Sequence, residues 1–266
     1  MFVLLGPDFE ATPEAYARLE HATGLLSYDL RSRIRAGAWS VVKTLADPAE
    51  ARALAAQLTE WGFRPVLLDR SIAYDPERYV VPLSGVEPDA QGLTLRLPER
   101  EMRVEFSALA CIVRGEVQPG RQAQRGSPSL TPGSGSFRVS GGVELTHREQ
   151  QNHTFDSYQA ADFHFVGVLW IGRLSLRELG SAAATPPRIL EQLVDQIALQ
   201  AHVRVDRASR TSSVASFVEQ AAPLRTMSSE PPGLREARRE LGDQRFDPYS
   251  RVIGEAERNA LESART

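Results

Sequence analysis

Residues 40–68, SVVKTLADPAEARALAAQLTEWGFRPVLL, hold two strands and the helix between them, each with its own start and stop signal. Ser40 to Leu45 is a short apolar run rich in β-branched residues, the pattern of a buried strand. Asp47-Pro48-Ala49-Glu50 follows: an N-cap, a proline at the first helical position and an acid three residues on, close to a capping box. Ala51, Leu54, Ala55 and Leu58 then recur at helical spacing, so one face of that helix is apolar. Gly62 stands where a left-handed C-terminal cap belongs, and Arg64 to Leu68 is the next strand.

The same grammar extends toward the N-terminus. Phe2 to Leu5 is a four-residue apolar strand. Thr12-Pro13 opens a helix that ends near Gly24. Ser27 is a candidate cap for a second helix, with Leu30 and Ile34 on one face and Gly37 at its end. Residues 1–70 therefore read β-α-α-β-α-β.

Within this unit, residues 23–68 resemble the C-terminal domain of the large-subunit ribosomal stalk protein. The likeness rests on Thr23, Gly24, Leu25, Val42, Lys43, Glu50, Ala51, Leu58 and Gly62. The Clp protease adaptor is related to that domain in fold. Both families dock onto other proteins and neither is an enzyme, so the resemblance implies a docking role. The stalk domain docks through lysine-rich helices; here the matching helix carries Arg31, Arg33 and Arg35, and only Lys43 is lysine.

The remaining chain divides by composition. Residues 71–117 read as a small β module, with YVVPL, LTLRL and MRVEF alternating between turn residues and SALACIVRGEV closing it. Four short strands seldom stand alone, so a neighbour is expected to pack on them. Residues 118–142, rich in Gly, Ser and Pro, read as a flexible linker. Residues 143–222 resume ordered patterning as a mixed α/β module. Within it FHFVGVLWIGRLSL, 163–176, is a central strand or two strands joined at Gly167 or Gly172, and Pro186-Pro187 opens an amphipathic helix. Residues 223–266 read as a polar tail with an apolar island at 246–253, FDPYSRVI, which docks on a groove in cis or in trans. The fold class expected is α+β.

Composition narrows the function. The chain has 266 residues, a net charge of −3 and one cysteine, Cys111. That cysteine count excludes a disulfide framework and a multi-cysteine zinc ribbon. No apolar run is long enough to span a membrane. The first residues, MFVLLGPDFE, have no basic region before a short apolar core, which points to the cytoplasm. Lys43 is the only lysine beside 30 arginines; with the abundance of alanine this reads as the imprint of a GC-rich bacterial genome. A net acidic chain makes nucleic acid a poor partner.

Motifs for chemistry are sparse. There is no G-x-S-x-G, no Walker loop and no G-x-G-x-x-G. Cys111 sits in LACIV, where apolar surroundings make a thiol inert. His147, His153, Asp162 and His164 form one cluster in sequence, and Asp162 and His164 share a face if they lie on a strand. Two imidazoles and a carboxylate can ligate a metal, although the spacing matches no standard motif. RSRIR at 31–35 with Trp39 is a basic-aromatic patch, suited to a solvated helix face, a protein partner or a single strand of nucleic acid. The leading expectation is a non-enzymatic bacterial adaptor without cofactor. It would dock another protein through Arg31, Arg35, Trp39 and Trp61, with Phe246 and Tyr249 as further contacts from the tail. A metal-dependent enzyme and a single-strand nucleic-acid binder are the alternatives.

Overall fold

The helix caps set the first unit. In a computed structural model, which describes residues 1–117, 157–176, 187–208, 212–221 and 246–265, Thr12 Oγ1 accepts from the Ala15 amide at 3.1 Å and opens α1, Pro13–Thr23. Gly24 closes it in the left-handed region at φ 68°. Asp47 accepts from the Ala49 amide at 2.8 Å and opens α3, Pro48–Glu60. Between them α2 spans Ser27–Arg33, shorter than expected, because Ile34 turns extended and drops its side chain into the core. Three strands, β1 (Phe2–Leu5), β2 (Ser40–Thr44) and β3 (Pro65–Leu68), form an antiparallel sheet in the order β2-β1-β3. All four residues of β1 are buried, since both faces of the sheet are covered. Val3 and Leu5 pack with Leu19, Leu30, Leu54 and Leu58 of the three helices, and Phe2 and Leu4 face the other way.

The second half departs from the modules read off the composition. Strands β4 (Val80–Leu83), β8 (Leu109–Val117), β9 (Tyr158–Phe165), β10 (Ile171–Ser175) and β11 (Arg204–Arg207) form one sheet in the order β11-β8-β9-β10-β4. Strands β5 (Gly85–Pro88), β6 (Gly92–Arg96) and β7 (Glu101–Glu105) form a separate antiparallel sheet. The proposed modules 71–117 and 143–222 are therefore not separate bodies. Their strands pair directly, Val117 opposite Tyr158 and Ile112 opposite Phe163. The neighbour that the short strands needed is supplied by strands distant in sequence, which composition cannot register. The linker expected at 118–142 lies outside the described residues. The 163–176 stretch is a hairpin whose turn is at Gly167, φ 78°.

One face of the five-stranded sheet packs on helix α4 (Pro187–Ala201) and on the small sheet, through Ile112, Phe163, Leu174, Leu190, Val194, Leu93 and Leu95. The other face meets α5 (Ser213–Ala221) and α6 (Phe246–Arg265). Phe2, Leu4, Val41 and Leu68 of the first sheet join Cys111, Val113 and Ala160 of the second in a shared core, with Phe246, Tyr249, Val252, Ile253 and Ala256 between them. Here the polar-tail reading is corrected. Residues 246–265 are a helix seated between two sheets, and its side chains Asp247, Tyr249, Ser250, Glu255 and Glu257 are paired within the protein rather than solvated. At about 25 cal/mol per Å² of apolar surface, side chains of this size contribute ~1.5–3 kcal/mol each when fully buried.

Candidate functional site

Helix α6 carries the densest set of ionisable contacts among the described residues. Strand alternation puts Asp162 and His164 of β9, with Arg173 of neighbouring β10, on the face toward α6. Arg173, 2% exposed, grips Asp162 with two hydrogen bonds, Nε to Oδ1 at 2.7 Å and Nη2 to Oδ2 at 2.8 Å. The same Nη2 lies 2.8 Å from Asp247 Oδ1 of α6 in an ion pair, and the guanidinium sits 4.9 Å from the Phe246 ring centre. The Ser250 hydroxyl donates to Asp162 Oδ2 at 2.7 Å. Its lone pair faces His164 Nε2 at 2.9 Å. A serine hydroxyl has one proton, so that imidazole nitrogen must be the donor. Gly254 completes the seat: a Cβ there would overlap the His164 ring.

The polarity of this chain of bonds decides what it can do. An activated serine gives its proton to histidine; here Ser250 gives it to Asp162 and receives one from His164. Burial holds the His164 pKa down at about 3, so the ring is neutral. Ser250, His164 and Asp162 are all fully enclosed, with no room for a substrate atom beside the hydroxyl. A metal fares no better at these two positions, because both Asp162 oxygens are already taken by Arg173 and Ser250. Among the described residues no group of three or more His, Cys, Asp or Glu is arranged to hold a metal ion. His147 and His153, the other expected ligands, lie outside the described residues. Cys111 is fully buried, and desolvation pushes its thiol pKa well up.

Other sides of α6 are tied by charge as well. Tyr249 donates to Asp206 Oδ1 at 2.6 Å, and burial raises the pKa of both. Glu255 pairs with Arg78 at 2.8 Å and Arg258 at 2.7 Å. Glu257 accepts from Trp39 Nε1 at 2.8 Å. Phe246, Tyr249 and Trp39, expected at a partner surface, are thus spent inside the chain. The apolar groove for the 246–253 island is the protein's own core.

The basic patch is divided in the same way. Arg31 and Arg35 remain at the surface, Arg31 lying 5.4 Å from the Tyr16 ring centre. Arg33 turns inward, bonding the Val42 carbonyl at 3.1 Å and lying over Phe217. Trp61 is half-buried and stacks on His21 at 5.7 Å between ring centres. Trp39, the aromatic of this patch in the sequence reading, is enclosed and no longer part of its surface. In its place the structure exposes Leu26 at 66% and Tyr28 at 81%, both at the α1–α2 junction beside Arg31. Sequence reasoning passed over these two. Yet Tyr28 lies about 200° around the helix from inward-facing Leu30, which was signal enough.

Comparison with family models, curated proteins and solved structures yields no match. The residues themselves carry whatever can be inferred. Arg173 and Gly254 are not singled out by the sequence, and Ser250 stands there only as part of the apolar island at 246–253. Nothing near Arg173 along the chain marks its pairing with Asp162, which comes from the neighbouring strand.

Proposed function

We propose that this chain is a non-enzymatic docking protein that binds an acidic segment of another protein on its α1–α2 face. Leu26 and Tyr28 serve as apolar anchors, and Arg31 and Arg35 supply the charge. The observation that carries the reading is the exposure of those two large side chains, 66% and 81%, in a unit whose other apolar residues are largely packed. An exposed aromatic next to arginine is the composition of an interface hot spot. The α2 segment and the turn after it present Arg31 and Arg35 against Asp29, so an acidic partner is the complement. The stalk-like order of elements supports the same reading, as those domains dock partners through helices. No described helix is long and apolar enough to cross a membrane. The arginine-for-lysine composition supports a bacterial source, and the single buried thiol is in keeping with a cytoplasmic setting.

The test compares wild type with the double variant Leu26→Asp, Tyr28→Asp in quantitative affinity capture. The expected result is a captured acidic protein whose recovery falls at least tenfold with the variant, at an unchanged melting temperature. Equal recovery of every species by both forms would refute the assignment.

A further inference from the structure

We propose that the cleft between the β2-β1-β3 sheet and the five-stranded sheet is a sequence-selective helix-binding site, and that α6 is its separable ligand. The proposal is independent of the α1–α2 face. Three observations lead to it. First, α6 contributes no strand to either sheet, so the ladders β2-β1-β3 and β11-β8-β9-β10-β4 are complete without it. Among the described residues its hydrogen bonds and ion pairs to the rest of the fold are made by its side chains, and residues 222–245 separate it in sequence from α5.

Second, the cleft reads α6 by polar contacts made across the interface. Arg173 meets Asp247 at 2.8 Å, Asp206 meets the Tyr249 hydroxyl at 2.6 Å, and Asp162 with His164 brackets the Ser250 hydroxyl at 2.7 and 2.9 Å. Trp39 meets Glu257 at 2.8 Å. Buried polar pairs add little net stability over apolar packing, and their best-attested use is to specify register and partner. Third, two glycines shape the fit. Gly115 admits the Phe246 ring, and Gly254 lets the His164 imidazole lie against the helix backbone. A generic amphipathic helix has no need of either contact. The cleft therefore selects a helix with Phe, Asp, Tyr, Ser and Gly at the spacing of positions 246, 247, 249, 250 and 254. The segment 246–265 of this chain is the occupant.

The experiment keeps the full chain. A specific protease site is placed within residues 222–245, the folded protein is cut, and labelled peptide 246–265 is added in excess. Incorporation is read by gel filtration and fluorescence anisotropy. The wild-type peptide is expected to enter the cleft, and the Asp247→Asn and Gly254→Ala peptides to bind at least tenfold more weakly. The alanine peptide is decisive: it is the better helix former in water, so docking on amphipathicity alone predicts tighter binding. Equal or tighter binding of that peptide overturns the selectivity. No incorporation, even after a cycle of unfolding and refolding with peptide present, shows that α6 is a fixed part of the core and overturns the proposal. In the uncut chain the amides of α6 should exchange together and before those of β8 and β9; exchange of all three only on global unfolding counts against a separable ligand.

Discussion

Replacing Arg173 by methionine tests the energetics of the buried network directly. The guanidinium neutralises two carboxylates, Asp162 at 0% exposure and Asp247 at 2.8 Å, and it lies against the Phe246 ring. Methionine has similar reach and an apolar tip, so volume is roughly kept while charge and donors vanish. Two carboxylates are then left in the core with one cation fewer. Removing one partner of a buried pair costs about 3–5 kcal/mol, against a total stability of roughly 5–15 kcal/mol for a folded domain. With a urea m-value of about 2–3 kcal/mol/M, the midpoint should fall by ~1–2.5 M. Urea unfolding followed by tryptophan fluorescence suits the measurement, because Trp39 contacts α6. The loss should also depend on pH. Burial already raises the Asp247 pKa, and without the opposing Arg173 charge the folded state holds that proton more tightly still than the unfolded state does. A raised folded pKa gives stability that is present at low pH and lost as pH rises. The deficit should therefore be smaller at pH 5 than at pH 8, and Asp162→Asn in the same chain should recover part of it. A deficit under about 1 kcal/mol, or one independent of pH, would refute the reasoning.

Two further outcomes follow from the same seat. His164 carries a folded pKa of about 3 because burial disfavours its charge. The unfolded chain binds a proton that the folded one refuses, so this contribution is complete above pH ~6.5 and is lost as pH falls toward 3. The carboxyls of Asp206, Asp247 and Glu257, raised by burial, act in the opposite sense and lose stability as pH rises. His164→Asn isolates the imidazole: the stability advantage of wild type over this variant should shrink by about 2 kcal/mol between pH 7 and pH 5, and a constant difference in urea titrations would contradict the assignment. Gly115→Ala should lower stability by about 1–3 kcal/mol, because the new Cβ would meet Phe246 at 2.6 Å and Ala208 at 2.8 Å. Adding Phe246→Leu should relieve part of that strain; a neutral Gly115→Ala, read by thermal melting, would show that the seat is loose.

The candidate site was only partly visible beforehand. Asp162 and His164 stand out in the sequence on one strand face, as a strand edge with a hydrogen-bonded histidine or, alternatively, as metal ligands. Their real partners, Arg173 and Ser250, come from a second strand and from a helix more than eighty positions on. Spacing along one segment could not have joined them. Trp39 illustrates the same limit, since its neighbour Glu257 is 218 positions away. A basic-aromatic patch in sequence became one buried tryptophan, one inward arginine and two surface arginines.

What the sequence determined alone was local: Thr12 and Asp47 starting helices, Gly24 and Gly62 ending them, and Phe2–Leu5 as a short apolar strand. Caps, left-handed glycines and apolar periods act within a turn or two of the chain, so they are legible without knowing what packs where. The tertiary structure alone decided that β8 pairs with β9 and that the terminal segment becomes the helix between two sheets. Those outcomes depend on which distant surfaces meet, where a charge such as Asp247 is stable only because Arg173 happens to face it. A composition that reads as a polar tail is then consistent with a buried helix, since Asp247, Tyr249, Ser250 and Glu257 each have a partner supplied from elsewhere in the fold.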